Sequence, residues 1–133
     1  MGDEIRVPID SDADIVIARQ QGRALAERIG FSATDQTIIA TAISEVARNI
    51  IKFAKRGEII LSTTMKNPER GVVVVARDQG PGIVDIQLAL QDGYSTGNGL
   101  GMGLPGCKRL MDELEIKSSK GKGTIVTMKK WTT

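Results

Sequence analysis

Apolar residues recur with a helical period through the first half of this chain and with a strand period through much of the second. Ile5, Val7 and Ile9 alternate with other residues and predict a short strand. Pro8 within it favours an edge position, because proline donates no ladder hydrogen bond. Ser11 or Asp12 is placed to cap a helix running to about residue 28, with Ile15, Ala18, Leu25 and Ile29 at three- and four-residue spacings and Gly30 as its stop. Ser32-Ala33-Thr34-Asp35 has the form of a capping box and opens a longer helix to about residue 54, with Gly57 ending the region. On that helix Ile39, Ile43, Val46, Ala47, Ile50 and Ala54 form the expected buried stripe, while Thr41, Glu45, Arg48, Asn49 and Lys52 gather on the opposite side. Glu45 and Asn49 stand one turn apart, so their side chains can converge on one point above the helix.

Residues 58–65 alternate around Ile59, Leu61 and Thr63 as a strand, 67–71 supply a turn, and the apolar run 72–76 is typical of a central strand, which together predict a hairpin. A short helix over 83–90 and a loop over 93–103 follow. Leu104 or Pro105 then starts a helix ending near Glu113. Residues 114–119 and 124–131, joined by the turn 120–123, read as a closing hairpin whose alternating basic residues suit an exposed edge or face. Tight turns make antiparallel neighbours. The order of elements therefore predicts a two-layer α/β (α+β) sandwich, with a mixed, largely antiparallel sheet and helices on one face. One domain over residues 1–133 is expected, since a chain of this length with 41% hydrophobic residues can bury a single core.

Composition removes several classes of function. There is no histidine, which excludes Ser-His-Asp and Cys-His triads, HExxH zinc sites and imidazole acid–base catalysis. The single cysteine, Cys107, forms neither an internal disulfide nor a thiolate zinc cluster, and a small packing residue is the favoured reading over a thiolate at a helix start. A net charge of +2 and only Trp131, Tyr94, Phe31 and Phe53 as aromatics give no argument for nucleic acid. No segment approaches a signal peptide or a membrane span, so a cytoplasmic location is expected.

The chemistry is concentrated between Arg77 and Lys108. Asp78 closes the central apolar strand, Gly80-Pro81-Gly82 turns the chain, and Gly97, Gly99, Gly101 and Gly103 fall at every second position. Gly101 to Gly106 is formally GxGxxG, but no strand leads directly into it, and the acidic residue a dinucleotide site needs is missing from the later strand. A protein kinase of the HRD type needs a histidine, and a P-loop fails because Cys107 stands at the lysine position. A third reading uses every piece. A strand-terminal carboxylate accepts a hydrogen bond from an exocyclic amine, and bare glycine backbone lets a flat ring lie against it. Glycines leading into a helix offer N–H groups and a positive dipole end to phosphates. Asn49 supplies a neutral oxygen suited to Mg²⁺, and Glu45 would sit beside the terminal phosphate. These residues together describe an ATP site.

In order along the chain, Glu45-Val46-Ala47-Arg48-Asn49, Asp78-Gln79-Gly80-Pro81-Gly82-Ile83, Gly99-Leu100-Gly101-Met102-Gly103-Leu104 and Gly123-Thr124 resemble the motifs of the GHKL (Bergerat-fold) ATPases. Within that family the chain is most similar to the small bacterial serine/threonine kinases of partner-switching systems. The resemblance implies that Asp78 holds the adenine amino group, that Thr124 supports that end and that Gly80 and Gly82 line the base. It further implies that Asn49 ligates Mg²⁺, that Gly99, Gly101 and Gly103 cradle phosphates in a lid, and that Glu45 is the general base. As partners it implies STAS-domain scaffold and antagonist proteins of a stressosome as substrates and a downstream PP2C-type phosphatase as a binding target, with an anti-sigma type of binding regulator as the alternative. Two departures stand out. Relatives of anti-sigma type carry alanine and histidine where this chain has Ile50 and Phe53, and residues 92–103 contain no basic side chain. Arg48, Lys52 and Lys108 are then the candidates for positive charge at the γ-phosphate.

Overall fold

In the computed structural model, which describes residues 4–80, 103–119 and 121–132, the elements follow in the order β1 (Ile5–Ile9), α1 (Asp12–Arg28), α2 (Ala33–Ala54), β2 (Gly57–Lys66), β3 (Glu69–Asp78), α3 (Gly103–Leu110), β4 (Glu113–Ser119) and β5 (Gly123–Trp131). The expected helix over 83–90 and most of the expected loop over 93–103 lie outside the described residues, as do Gly82, Gly99 and Gly101.

Among the described residues all four strand pairings are antiparallel, in one sheet of order β1-β2-β3-β5-β4. Pro8 does lie in an edge strand. The closing hairpin supplies the other edge through β4, while β5 is inserted between β3 and β4 and is paired on both sides. The helix before this hairpin ends at Leu110 rather than near Glu113, because Glu113 and Leu114 are already paired with Lys129 and Met128.

The period-two pattern of β3 sends Val72, Val74 and Ala76 into the core and leaves Val73 and Val75 on the other side of the sheet, half-buried. The inward valines meet Ile39, Ile43, Val46 and Ile50 of α2 together with Ile59 and Leu61 of β2 and Met128 of β5, all within 1% of complete burial. Each such side chain is worth about 1.5–3 kcal/mol of transfer free energy. The pairing of α2 with the middle of the sheet therefore forms the centre of the hydrophobic core. α1 rests on α2 through Gly22, where any Cβ would collide with Ile43 Cδ1.

The helix ends are set locally. Ser32 Oγ accepts from Asp35 N at 3.1 Å at the start of α2, and the Asp14 carboxylate accepts from Asp10 N and Ser11 N at the start of α1. At its far end α2 stops at Ala54 with Lys55 at φ +72°, so a lysine takes the left-handed position that glycine usually fills. Gly57 instead opens β2, directly opposite Asp78, where a Cβ would collide with the Arg77 carbonyl.

Candidate functional site

Four chain segments meet at the end of β3. Asp78 is its last residue, paired with Gly57 on one side and with Thr124 on the other. Thr124 is 8% exposed, and its Oγ1 lies 2.9 Å from Ser118 Oγ on the edge strand, which also donates to the Gly123 carbonyl at 3.1 Å. The Asp78 carboxylate turns back on its own chain, with Oδ1 accepting from Gly80 N at 2.8 Å. Among the described residues no donor reaches Oδ2. Gly80 is itself pressed on the last turn of α2, since a Cβ there would come 2.6 Å from Ala54 Cβ. Ala54 is thus only partly buried, at the mouth of this corner rather than deep in the core stripe.

Gly123 has the most constrained geometry of the corner. Its φ is +93°, and a Cβ would strike the Asp78 carbonyl and stand 2.9 Å from the Gln79 Cα. Such an approach lets the β4–β5 turn close over the end of β3, and it brings Thr124 beside Asp78.

From that corner α2 leads to the other side chains. Asn49 is half-buried, about 7 Å up the helix from Ala54, and Glu45 is one turn further. Glu45 does not stand on a solvated face as the helical period predicts. It is 8% exposed, and Ser44 beside it 7%, because α3 packs on this side of α2 and widens its buried arc. The Glu45 carboxylate is held from outside by Arg48, whose Nη1 lies 3.1 Å from Oε1.

α3 begins at Gly103, which has φ +59°, and buries Leu104, Pro105, Gly106 and Cys107. The Cys107 thiol is completely buried and donates to the Ala42 carbonyl at 3.7 Å. Burial, with the nearby Glu45 charge adding to it, pushes its pKa from 9.0 up to about 12. Burial and the bond to the Ala42 carbonyl give this thiol a packing role rather than that of a nucleophile. Because the folded value is the higher one, this thiol favours the native state below about pH 9 and loses that contribution as the pH rises toward 12. At pH 8 a disulfide reagent is expected to modify Cys107 at least about 100-fold more slowly in native protein than in urea. Absorbance of the released thiol measures both rates.

Of the residues singled out from the sequence, the structure gathers Asp78, Gly80 and Thr124 at one corner and sets Asn49 and Glu45 in line along the adjacent helix. Gly103 starts the helix that packs beside Glu45. The contribution of Ser118 was not foreseen, although its pairing opposite Thr124 follows once the closing hairpin is placed in register. The contact between Arg48 and Glu45 was also missed, despite their three-residue spacing. Among the described residues no helix is long and apolar enough to cross a membrane.

An antiparallel sheet covered by helices on one face, with a carboxylate ending a central strand against the last turn of a long helix, defines an ATP-binding domain of the GHKL type. Comparison with known proteins agrees. Residues 10–130 match the family model described as Histidine kinase-like ATPase domain, and the chain belongs to that family. It is 48% identical to Serine/threonine-protein kinase RsbT of Bacillus subtilis (strain 168), over 98% of both chains. It is 32% identical to the Anti-sigma F factor of Caldanaerobacter subterraneus subsp. tengcongensis, over 86% of this chain and 82% of the relative. Among solved structures, Mycobacterial sensor histidine kinase MprB has the same fold, with TM-score 0.56, 16% identity and coverage of 98% and 97% of the two chains. The catalytic domain of histidine kinase ThkA does likewise, with TM-score 0.52, 15% identity and coverage of 97% and 94%. Within its family the chain is an ATP-binding serine/threonine protein kinase.

Proposed function

We propose that this kinase works as a single domain over residues 1–133 in the cytoplasm, transferring the γ-phosphoryl group of ATP to a serine or threonine of a STAS-domain scaffold or antagonist protein. After that transfer it binds and activates a PP2C-type phosphatase. The observation that carries the reading is the juxtaposition of Asp78 with Thr124 at one end of α2, while Glu45 and Asn49 stand further along the same helix. A corner for the base at one end and acid–base chemistry at the other suit an extended nucleoside triphosphate. The family resemblance supplies the partners.

The donor set fits the ligands. Asp78 has one carboxylate oxygen with no partner among the described residues, available to the exocyclic amine of adenine, and Thr124 with Ser118 provides hydroxyls beside it. Asn49 offers a single neutral oxygen, which fits Mg²⁺, an ion that keeps several waters and shares phosphate oxygens, better than a metal needing a full protein cage. Bound there, Mg²⁺ would neutralise phosphate charge. Gly103, with Gly99 and Gly101 before it, would present backbone N–H groups to the phosphates at the start of α3, and Gly82 would line the base with Gly80. Glu45 would accept the proton of the substrate hydroxyl as its oxygen bonds to the γ-phosphorus, while the bond to the β–γ bridging oxygen breaks and ADP leaves. Because such a transfer is mostly positioning and charge neutralisation, so few groups suffice.

The test is incubation of the purified protein with magnesium and γ-labelled ATP, first with a purified STAS-domain protein and then with host lysate. Label on a serine or threonine of the STAS protein is expected. Stable capture of a sigma factor with no labelled protein would favour instead the anti-sigma reading, which the 32% identity to Anti-sigma F factor keeps in view. For the base-binding corner the expected result is sharper. In Asp78→Asn the single amide oxygen stays with Gly80 N, so an NH₂ group faces the adenine amine, donor against donor. ATP affinity is expected to fall about 10- to 100-fold by calorimetry, from loss of a charge-assisted hydrogen bond, with little change in thermal stability. Unchanged affinity would remove Asp78 from the site.

A further inference from the structure

Glu45 is the one carboxylate on the buried side of α2, and among the described residues few groups are placed to orient it. On the inner side lies the Cys107 thiol, which stays protonated and is committed to the Ala42 carbonyl. Next to it Ser44 Oγ donates to the Ala40 carbonyl, and Thr41 Oγ1 to the Thr37 carbonyl, so neither hydroxyl is directed to Glu45. Lys52, two turns on, lies over the Phe53 ring at 5.6 Å. Arg48 is different. Its side chain is 54% exposed, yet its guanidinium bends inward to reach Oε1 of a Glu45 side chain that is only 11% exposed.

From this geometry we infer that Arg48 is a positioning residue for Glu45: it fixes one carboxylate oxygen and so directs the other, Oε2, to the substrate hydroxyl. The inference rests on the kinase reading above. A glutamate has three side-chain torsions, and an acceptor that wanders by an ångström loses much of its value in a transfer governed by alignment. An arginine one turn away on the same helix removes most of that freedom, and it does so through Oε1 alone. The same contact argues against Arg48 as the missing cation at the γ-phosphate. Part of its charge is already taken up by the Glu45 carboxylate, so a phosphate met through the remaining guanidinium N–H groups would compete with the base for it.

The two roles are separable by a double-mutant cycle on single-turnover transfer from magnesium and labelled ATP to a purified STAS-domain protein. If Arg48 acts through Glu45, Arg48→Ala slows transfer about 10- to 100-fold at unchanged ATP affinity and adds less than about twofold in the Glu45→Ala background. Arg48→Lys, which keeps the charge on a shorter donor, should recover part of the rate. Arg48→Gln keeps the stem and replaces Arg48→Ala if that variant proves unfolded by circular dichroism. Transfer by Arg48→Ala at the wild-type rate, with Glu45→Ala slow, would overturn this inference alone. An equal loss in both backgrounds would overturn it too and would assign Arg48 to the phosphate. A wild-type rate in Glu45→Ala would instead remove the base itself.

Discussion

Glu45→Ala is expected to slow phosphoryl transfer about 100- to 10,000-fold, the range typical of removing a positioned general base, while ATP affinity stays within about threefold. The split follows from the layout. Glu45 is separated from Asp78 and Thr124 by the C-terminal turns of α2, so its loss leaves the corner proposed to hold the base intact. Removal of a nearly buried carboxylate also releases Arg48 to solvent without stranding an acid, and the core below, Val46 and Ile50, is untouched. Thermal unfolding should therefore change little. Comparison of labelled-phosphate transfer with nucleotide calorimetry on the same preparation checks both halves. Equal losses in transfer and affinity would mean that Glu45 contributes to binding rather than to the chemical step.

Gly123→Ala is the variant expected to damage stability most. Alanine at φ +93° is strained by about 1–2 kcal/mol, and its Cβ meets the Asp78 carbonyl and Gln79 Cα, which belong to backbone and cannot rotate away. The sum of both effects is about 3 kcal/mol, or a fall in melting temperature of about 10 °C for a domain of this size. Since the obstruction falls on Asp78, ATP affinity should drop together with stability. Gly121 provides the control: its φ is +79°, but no atom of the described residues lies within 4 Å of a Cβ there, so Gly121→Ala should cost only the backbone strain of about 1 kcal/mol. Scanning calorimetry of the two variants side by side tests the difference. Equal melting temperatures would show that the close approach to β3 is not a constraint.

Glu45 also shows where sequence pattern fails. A helical wheel assumes one buried face, yet α2 is covered by the sheet, by α1 and by α3, and the third neighbour buries Ser44 and Glu45. Nothing within residues 33–54 encodes the arrival of a helix that begins seventy residues after α2 does. Sheet order is hidden for the same reason. The alternation of β5 shows which side chains point inward, but not that β3 and β4 flank it, since pairing is a property of segments distant along the chain. Lys55 is the local counterpart, a residue whose type gave no warning of the left-handed conformation that ends α2.

By itself the sequence determined the elements and most of their limits, because period, caps and turn residues act within a few positions: strand 5–9, the two long helices, the hairpin around residue 68 and the closing pair. It also carried the ordered motifs of Glu45, Asn49, Asp78 and Thr124 from which an ATP site was read. Tertiary structure decided which of these groups meet. Only the antiparallel register sets Asp78 opposite Thr124, and only the packing of α3 buries Glu45 beside Arg48. Those contacts join residues tens of positions apart, and their free energy comes from surfaces that do not exist until the sheet and helices have assembled.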